Sequence, residues 1–359
     1  MGHARRESHA VERLTKGMES RTLIRKVIHC DGAPRIGYHL PAPWPSDIVG
    51  VGVDAAPDFQ PQRWTEGNAE HWTDEWGCRW RRLGGISKGE VYEGAITDWD
   101  QLNDYRPPDM GLETRYKRAR KVFGEAGDKY RIGHLPGMAF NTSRYIRRLD
   151  HFLADCLLEP ERVRRLNGLV MDEVEKAVRR LAAAGADGVM FAEDWGTQDR
   201  LLMAPATFRE LFLPELQRLG RVAAEVGVDV WMHSCGKVGD IIEDLIGAGV
   251  RVLQFDQPAL HGIEWLNETF GGRVAFECPV DIQRTLQRRD AAKIRDEARR
   301  LCRLLGGHGG GFIACRYGDE KAIGIESQWQ DIACDAFIEF GGWREKEPEG
   351  RTTSGANAR

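Results

Sequence analysis

Val228-Asp-Val-Trp-Met-His-Ser-Cys-Gly236 is the stretch on which the reading of this chain turns. It reads as a β-strand that ends in a His-x-Cys pair followed by glycine. Side chains two apart on a strand project to the same side. His233 and Cys235 are therefore expected to face one point where the strand gives out. An imidazole and a thiolate held side by side begin a zinc site. Two donors do not complete one, so the rest of the chain must show what else arrives there.

On both sides of this stretch the pattern alternates. A strand is expected at 130–135 and a long helix at 160–184. Its apolar Val163, Leu166, Val170, Val174, Val178 and Leu181 recur at three- and four-residue steps. Gly185 ends it. A strand at 188–191 runs into Glu193-Asp-Trp-Gly196. Then follow a helix at 205–226, the strand at 228–232, a helix at 238–246 and a strand at 250–255. A helix at 263–270, a strand at 274–276, a helix at 291–305 and a strand at 311–314 complete the series. Strands separated by helices, repeated in this way, mean parallel β/α architecture. The spacing predicts a (β/α)8 TIM barrel with an elaborated N-terminal portion. A doubly wound open sheet is the alternative. It is disfavoured because Gly306-Gly-His-Gly-Gly-Gly311 precedes a strand, the wrong side for a phosphate cradle.

The organisation expected is a frayed start at 1–15, one domain at 16–342 and a Glu/Gly/Ser/Arg-rich tail at 343–359. Residues 16–130 read as loops, short helices and a hairpin near 76–91. The chain has 359 residues, 42% hydrophobic and 30% charged, which suits a protein with a large core. Its 51 basic and 55 acidic residues leave a net charge of −4, with no basic excess that would point to nucleic acid. No run of about 18 apolar residues predicts a membrane span, and the start lacks a signal-peptide core, so a cytoplasmic location is expected. In such a setting the eight cysteines are expected as thiols or metal ligands rather than disulfides.

Barrel chemistry sits at the C-terminal ends of the strands. The residues read there are Glu193 and Asp194, His233 and Cys235, Asp256 and Gln257, Cys278, and Cys315. A single buried cysteine is more often packing than ligand. The His-x-Cys pair, with further sulfur at later strand ends, favours a metal centre, and Cys278 and Cys315 compete for its third position. Glu193 is a candidate ligand or proton donor, or else a helix cap. Asp256 is a candidate for orienting His233 through its second ring nitrogen, or else an ordinary loop residue. Trp76, His134, Trp195 and Tyr317 are candidates for lining a substrate pocket, with core packing the plainer role for each.

From Gly188 to Gly341 most clearly, and more weakly over nearly the whole chain, the sequence resembles the uroporphyrinogen decarboxylase superfamily. The resemblance lies in Phe191-Ala-Glu-Asp-Trp-Gly196, Met232-His-Ser-Cys-Gly236, Gly271-Gly-Arg-Val-Ala-Phe276 with Val280-Asp281, and Ala322-Ile-Gly-Ile325, with Pro34-Arg-Ile36 and Asp74-Glu-Trp-Gly77 upstream. It implies a (β/α)8 barrel and one of two activities. Decarboxylases of the superfamily remove acetate carboxyls from a tetrapyrrole without a cofactor. Its zinc methyltransferases move methyl groups between a corrinoid protein and a small methylated substrate or thiol.

The methyltransferases use a His-x-Cys…Cys ligand set, which this chain matches at His233, Cys235 and Cys315. It departs from the decarboxylase pattern. Arg35 is the one obvious remnant of an arginine-rich lead-in, no tyrosine–aspartate motif is apparent, and Cys315-Arg-Tyr-Gly318 replaces a Leu-Gly-His-Gly type sequence. The resemblance thus implies Zn²⁺ with an open coordination position, and a corrinoid (methylcobalamin) supplied by a partner protein. A homodimer is the superfamily's suggestion for assembly. Tetrapyrrole decarboxylation and non-catalytic tetrapyrrole or metal binding are the competing readings.

Overall fold

The computed structural model describes residues 18–84 and 89–342. The ends expected to fray, 1–15 and 343–359, and the hairpin tip at 85–88 lie outside the described residues. Two strands come from the N-terminal third, β1 (Gly37–His39) and β2 (Ile48–Gly52). Four more form a separate antiparallel sheet: β3 (Arg63–Glu66), β4 (Ala69–Thr73), β5 (Arg79–Leu83) and β6 (Glu90–Glu93). Then follow β7 (Tyr130–His134), β8 (Gly188–Ala192), β9 (Asp229–His233), β10 (Val250–Gln254), β11 (Ala275–Cys278) and β12 (Phe312–Cys315).

The large sheet runs β1-β12-β11-β10-β9-β8-β7-β2, and every neighbouring pair is parallel. Eight parallel strands with helices between them form a nearly closed (β/α)8 barrel. At the seam between β1 and β2, Asp47 N–H donates to the Tyr38 carbonyl at 2.8 Å, and Tyr38 N–H donates to the Asp47 carboxylate at 2.9 Å. Arg35 clamps that carboxylate with two bonds of 2.7 Å.

Alternation along the strands sorts their residues into two cores. Ile48, Tyr130, Ile132, Trp231, Val252, Ala275 and Ile313 fill the barrel interior. Their sequence neighbours Val189, Phe191, Val230, Met232, Leu253, Phe276 and Ala314 face the surrounding helices. The helix Ser20–Ile28 closes the N-terminal mouth, burying Leu23, Ile24, Val27 and Ile28 against the interior set. Its Arg21 and Arg25 reach the Asp187 carboxylate, at 2.6 and 3.0 Å. That carboxylate also accepts Arg131 N–H at 3.1 Å.

The helix expected at 205–226 is two helices, Pro205–Leu211 and Leu213–Val226. Pro214 explains the break, since it has no N–H to donate and its ring crowds the preceding turn. The expected hairpin is present as β5 and β6, widened by β3 and β4 into a four-stranded sheet. Trp72 and Trp80 stack there, with centroids 5.8 Å apart, and Trp80 meets Tyr145 of the helix Ala139–Ile146. Trp80 thus carries an aromatic contact from this sheet to the barrel's helices, with Trp72 stacked behind it. No helix among the described residues is long and apolar enough to cross a membrane.

The plug gives a direct test. Ile24 is fully buried. Ile24→Ala is expected to lower the unfolding free energy by about 2–5 kcal/mol in a denaturant titration, the usual cost of emptying a packed aliphatic site. A loss below roughly 0.5 kcal/mol would show that the helix adds little to the barrel floor.

Candidate metal centre

The same alternation that fills the barrel with apolar side chains changes character at its C-terminal end. Two residues beyond the apolar layer, the inward positions carry His39, His134, His233, Gln254, Glu277 and Cys315. The strand register sets them side by side. His233 pairs with Gln254, Gln254 with Glu277, and His39 with Cys315.

His233 is the best defined of these. Its Nδ1 is hydrogen-bonded to Gln254 Oε1. The Gln254 amide is turned that way because its Nε2 donates to Asp256 Oδ1 at 2.8 Å. A carbonyl oxygen can only accept, so Nδ1 carries the ring proton and Nε2 keeps its lone pair. Nε2 lies 3.3 Å from Cys235 Sγ and 3.6 Å from Asp194 Oδ1. Asp194, His233 and Cys235 each offer a ligand atom, and these three atoms lie within 4.8 Å of one another. A zinc ion with bonds of about 2.0–2.3 Å needs donors roughly 3.5 Å apart. One unprotonated ring nitrogen, one sulfur and one carboxylate oxygen at these separations fit such an ion.

Two glycines hold the loops together. Gly236 has φ +74°, and a Cβ there would lie 2.2 Å from the Gly196 carbonyl oxygen. A Cβ on Gly196 would in turn lie 2.5 Å from Lys237 N. Only a pair of glycines lets the loop after β8 and the loop after β9 touch backbone to backbone. Lys237 N–H donates to the Thr197 carbonyl at 2.7 Å across the same junction. Cys235 N–H donates to Asp194 Oδ1 at 3.1 Å, which aims that oxygen at the cluster.

The other residues expected at the site fall in different places. Cys315 is on the interior face but outside the cluster. Its Sγ lies 4.0 Å from Gln254 Nε2, so the amide stands between it and His233. Cys278 follows the parity of Phe276 and belongs to the outer core, facing the helices. Burial pushes both thiols far up in pKa. Asp256 does not touch the ring of His233; it acts through Gln254, a residue the sequence reading passed over.

Glu193 turns away from the cluster and accepts the N–H groups of Phe140 and Asn141, at 3.1 and 2.9 Å. It caps the helix Ala139–Ile146, which precedes it in the chain. Burial raises its pKa to about 8, against the pull of those two N–H groups and of Arg144. Asp194 is the carboxylate that faces the histidine.

Among the aromatic candidates, Tyr317 lines a cavity of about 170 Å³ beside Cys235, with Phe255, Asp256, Gln257 and Ile323. Trp195 is fully buried, stacked on Phe140 with centroids 4.2 Å apart and edge-on to Phe208 and Phe212. Trp76 packs against the outer core, and its carbonyl accepts the Tyr105 hydroxyl at 2.9 Å. His134 is inside the barrel but does not line that cavity. Its pKa is lowered by burial and by the nearby His39. His39 and Glu277, which the sequence reading did not single out, form a 2.6 Å pair in the same inward-facing layer. Burial works against charge on His39, but the Glu277 carboxylate more than offsets it and leaves the pKa raised.

A sequence profile of the uroporphyrinogen decarboxylase (URO-D) family matches residues 86–315, well over half of the chain. The chain belongs to that family. No curated protein matches it in sequence. Among solved structures it is similar to a methyltransferase from Methanosarcina mazei, with 19% identity, 74% of this chain and 76% of that one covered, and a TM-score of 0.60. At that identity the likeness speaks for the fold. A D-psicose 3-epimerase (8% identity, 67% and 85% covered, TM-score 0.42) and a 3-keto-D-glucoside 4-epimerase from E. coli (16%, 64% and 87%, 0.39) are more distant and carry no weight here.

Glu193 makes stability depend on pH in a known direction. The folded chain keeps its proton up to about pH 8, whereas the unfolded chain loses it near the ordinary 4.5. Between these values unfolding releases a proton, so stability falls as pH rises and levels off above the folded pKa. Unfolding titrations with chelator present should show the stability advantage of wild type over Glu193→Gln shrinking across that window. An advantage that grows with pH would mean that the carboxylate is ionised in the fold.

Proposed function

We propose that this chain is a zinc-dependent methyltransferase, moving a methyl group between a small methylated substrate or thiol and a corrinoid carried by a partner protein. One observation carries the reading. The proton of His233 is fixed on Nδ1 by Gln254, so that Nε2 and the Cys235 sulfur present their lone pairs together at the edge of a cavity. Zinc held there would act as a Lewis acid on the substrate heteroatom that carries or receives the methyl group. The chain's own residues do the rest. Phe255, Ile282 and Ile323 give the cavity apolar walls that keep water from the reacting atoms. Tyr317 and Asp256 also line it, and the Tyr317 hydroxyl can hold a proton for the heteroatom.

Three features support this reading over a tetrapyrrole decarboxylase, which the family match also suggests. Arg35, the remnant of a carboxylate-gripping lead-in, sits at the start of β1 and is bound to Asp47. Neither arginine nor lysine is among the residues lining the cavity beside Cys235. At about 170 Å³ that cavity is below the 300–1,000 Å³ usual for a drug-sized ligand, and a tetrapyrrole is larger still.

Metal analysis of the purified protein should find about one zinc per chain. Cys235→Ala should lose it, and Gln254→Leu should bind it roughly 10–100-fold more weakly, as expected for a partner that orients a metal-binding histidine. Incubation with methylcobalamin and a thiol, or with Co(I) cobalamin and methylated amines or aryl methyl ethers, should change the cobalamin absorbance only in the zinc-loaded protein. Conversion of uroporphyrinogen to coproporphyrinogen in the presence of chelator would refute the proposal in favour of the decarboxylase.

A further inference from the structure

The ligand set suggested by the superfamily needs Cys315, and the barrel does not bring Cys315 to the cluster. We infer that a zinc ion at this centre takes its third protein donor from the Asp194 carboxylate rather than from the Cys315 thiol. The donor set is then one nitrogen, one sulfur and one oxygen. The inference rests on the zinc reading above and goes beyond it in setting Asp194 in the place that the superfamily's ligand set gives to Cys315.

The geometry favours Asp194 on three counts. Its Oδ1 lies 3.6 Å from His233 Nε2, on the side of the ring where the Cys235 sulfur also lies. That oxygen is held by the backbone N–H of Cys235 at 3.1 Å, while Arg144 faces Oδ2 at 3.6 Å. The carboxylate is thus split between a structural partner and an oxygen aimed at the centre. Finally, the contact of Gly196 with Gly236 and the bond from Lys237 to Thr197 tie the two loops into one unit. Asp194 therefore keeps its place relative to Cys235 whatever the rest of the barrel mouth does.

Cys315 is separated by both topology and contact. β10 and β11 lie between β9 and β12 in the sheet. The Gln254 amide fills the space between, with Oε1 on His233 Nδ1 and Nε2 4.0 Å from Cys315 Sγ. A carboxylate is a harder donor than a thiolate and leaves more positive character on the metal. A centre built this way suits a substrate oxygen or nitrogen better than a substrate sulfur.

The test is cobalt substitution of the full chain, with zinc affinity measured against a chromophoric chelator. Cobalt-loaded wild type should show thiolate-to-cobalt charge transfer of one-thiolate intensity. Cys235→Ala should abolish it and Cys315→Ala should leave it unchanged. Asp194→Ala should weaken zinc binding more than about 100-fold, beyond the loss usual for an outer-shell residue, with Asp194→Asn in between. Cys315→Ala should stay within about threefold of wild type, less than even a typical outer-shell loss. Far-UV circular dichroism and thermal melting of the metal-free variants separate loss of a ligand from loss of the fold. Two-thiolate intensity that halves in Cys315→Ala, or full zinc affinity in a folded Asp194→Ala, overturns the assignment while leaving the zinc reading intact. A wild-type chain that takes up neither metal overturns both.

Discussion

The Asp256 carboxylate, through one glutamine, decides which face of His233 is chemically available. It can only accept hydrogen bonds, so the Gln254 NH₂ turns toward it and the amide oxygen turns toward the ring. The imidazole proton is then confined to Nδ1, and the lone pair points toward Cys235 and Asp194. A ligating histidine commonly has its second nitrogen fixed by a carboxylate or a carbonyl. Here an amide relays the carboxylate's preference across one further step. Everything placed at the centre depends on this chain of donors and acceptors, because the opposite tautomer would aim an N–H at the sulfur.

That relay is possible only because the barrel changes polarity along its axis without changing its alternation. Trp231, Val252, Ala275 and Ile313 pack the interior, and the helix Ser20–Ile28 seals the floor below them. One step up each strand the same inward face carries His233, Gln254, Glu277 and Cys315. Below, burial of apolar surface stabilises the barrel. Above, polar groups are affordable because they bond to one another and to the loops. The register that pairs Gln254 with His233 on one side and Glu277 on the other is therefore part of the site as well as of the sheet.

Much of this was legible in the sequence, and the gaps have physical causes. The strands and helices after residue 130 stand out because they are apolar and periodic. β1 escaped notice because it is three residues long, and β2 because two glycines interrupt its Ile-Val-Gly-Val-Gly run. The His-x-Cys pair could be read from the two-residue period alone. Gln254 and Glu277 could have been found by counting inward positions back from the strand ends, since each is a polar residue in a buried apolar run. The same count excludes Cys278, which shares the parity of Phe276. Trp195 shows where counting stops working. Past the end of β8 the backbone is no longer extended, and the indole turns into the aromatic cluster around Phe140 and Phe212. Asp194 was in view at its strand end, but its partnership with Cys235 is made by a loop contact that only the fold reveals.

The adjacent carboxylates Glu193 and Asp194 show how one loop separates two roles. Both are acidic, and Asp194 adds to the rise in the Glu193 pKa. Glu193 is buried beneath the loop, where desolvation raises its pKa to about 8 and two helix N–H groups hold it in place. Asp194 is partly open to solvent, with Arg144 3.6 Å from its carboxylate, and it faces a histidine and a cysteine. Dissimilar surroundings for neighbouring acids are a recurrent way of assigning distinct functions to like groups. Here the neutral member anchors the loop to the helix Ala139–Ile146, and Asp194 faces His233 and Cys235. A cation bound at Asp194 and Cys235 would tie the loop after β8 to the loop after β9. Occupancy of the centre and stability of the barrel should therefore be linked, each favouring the other.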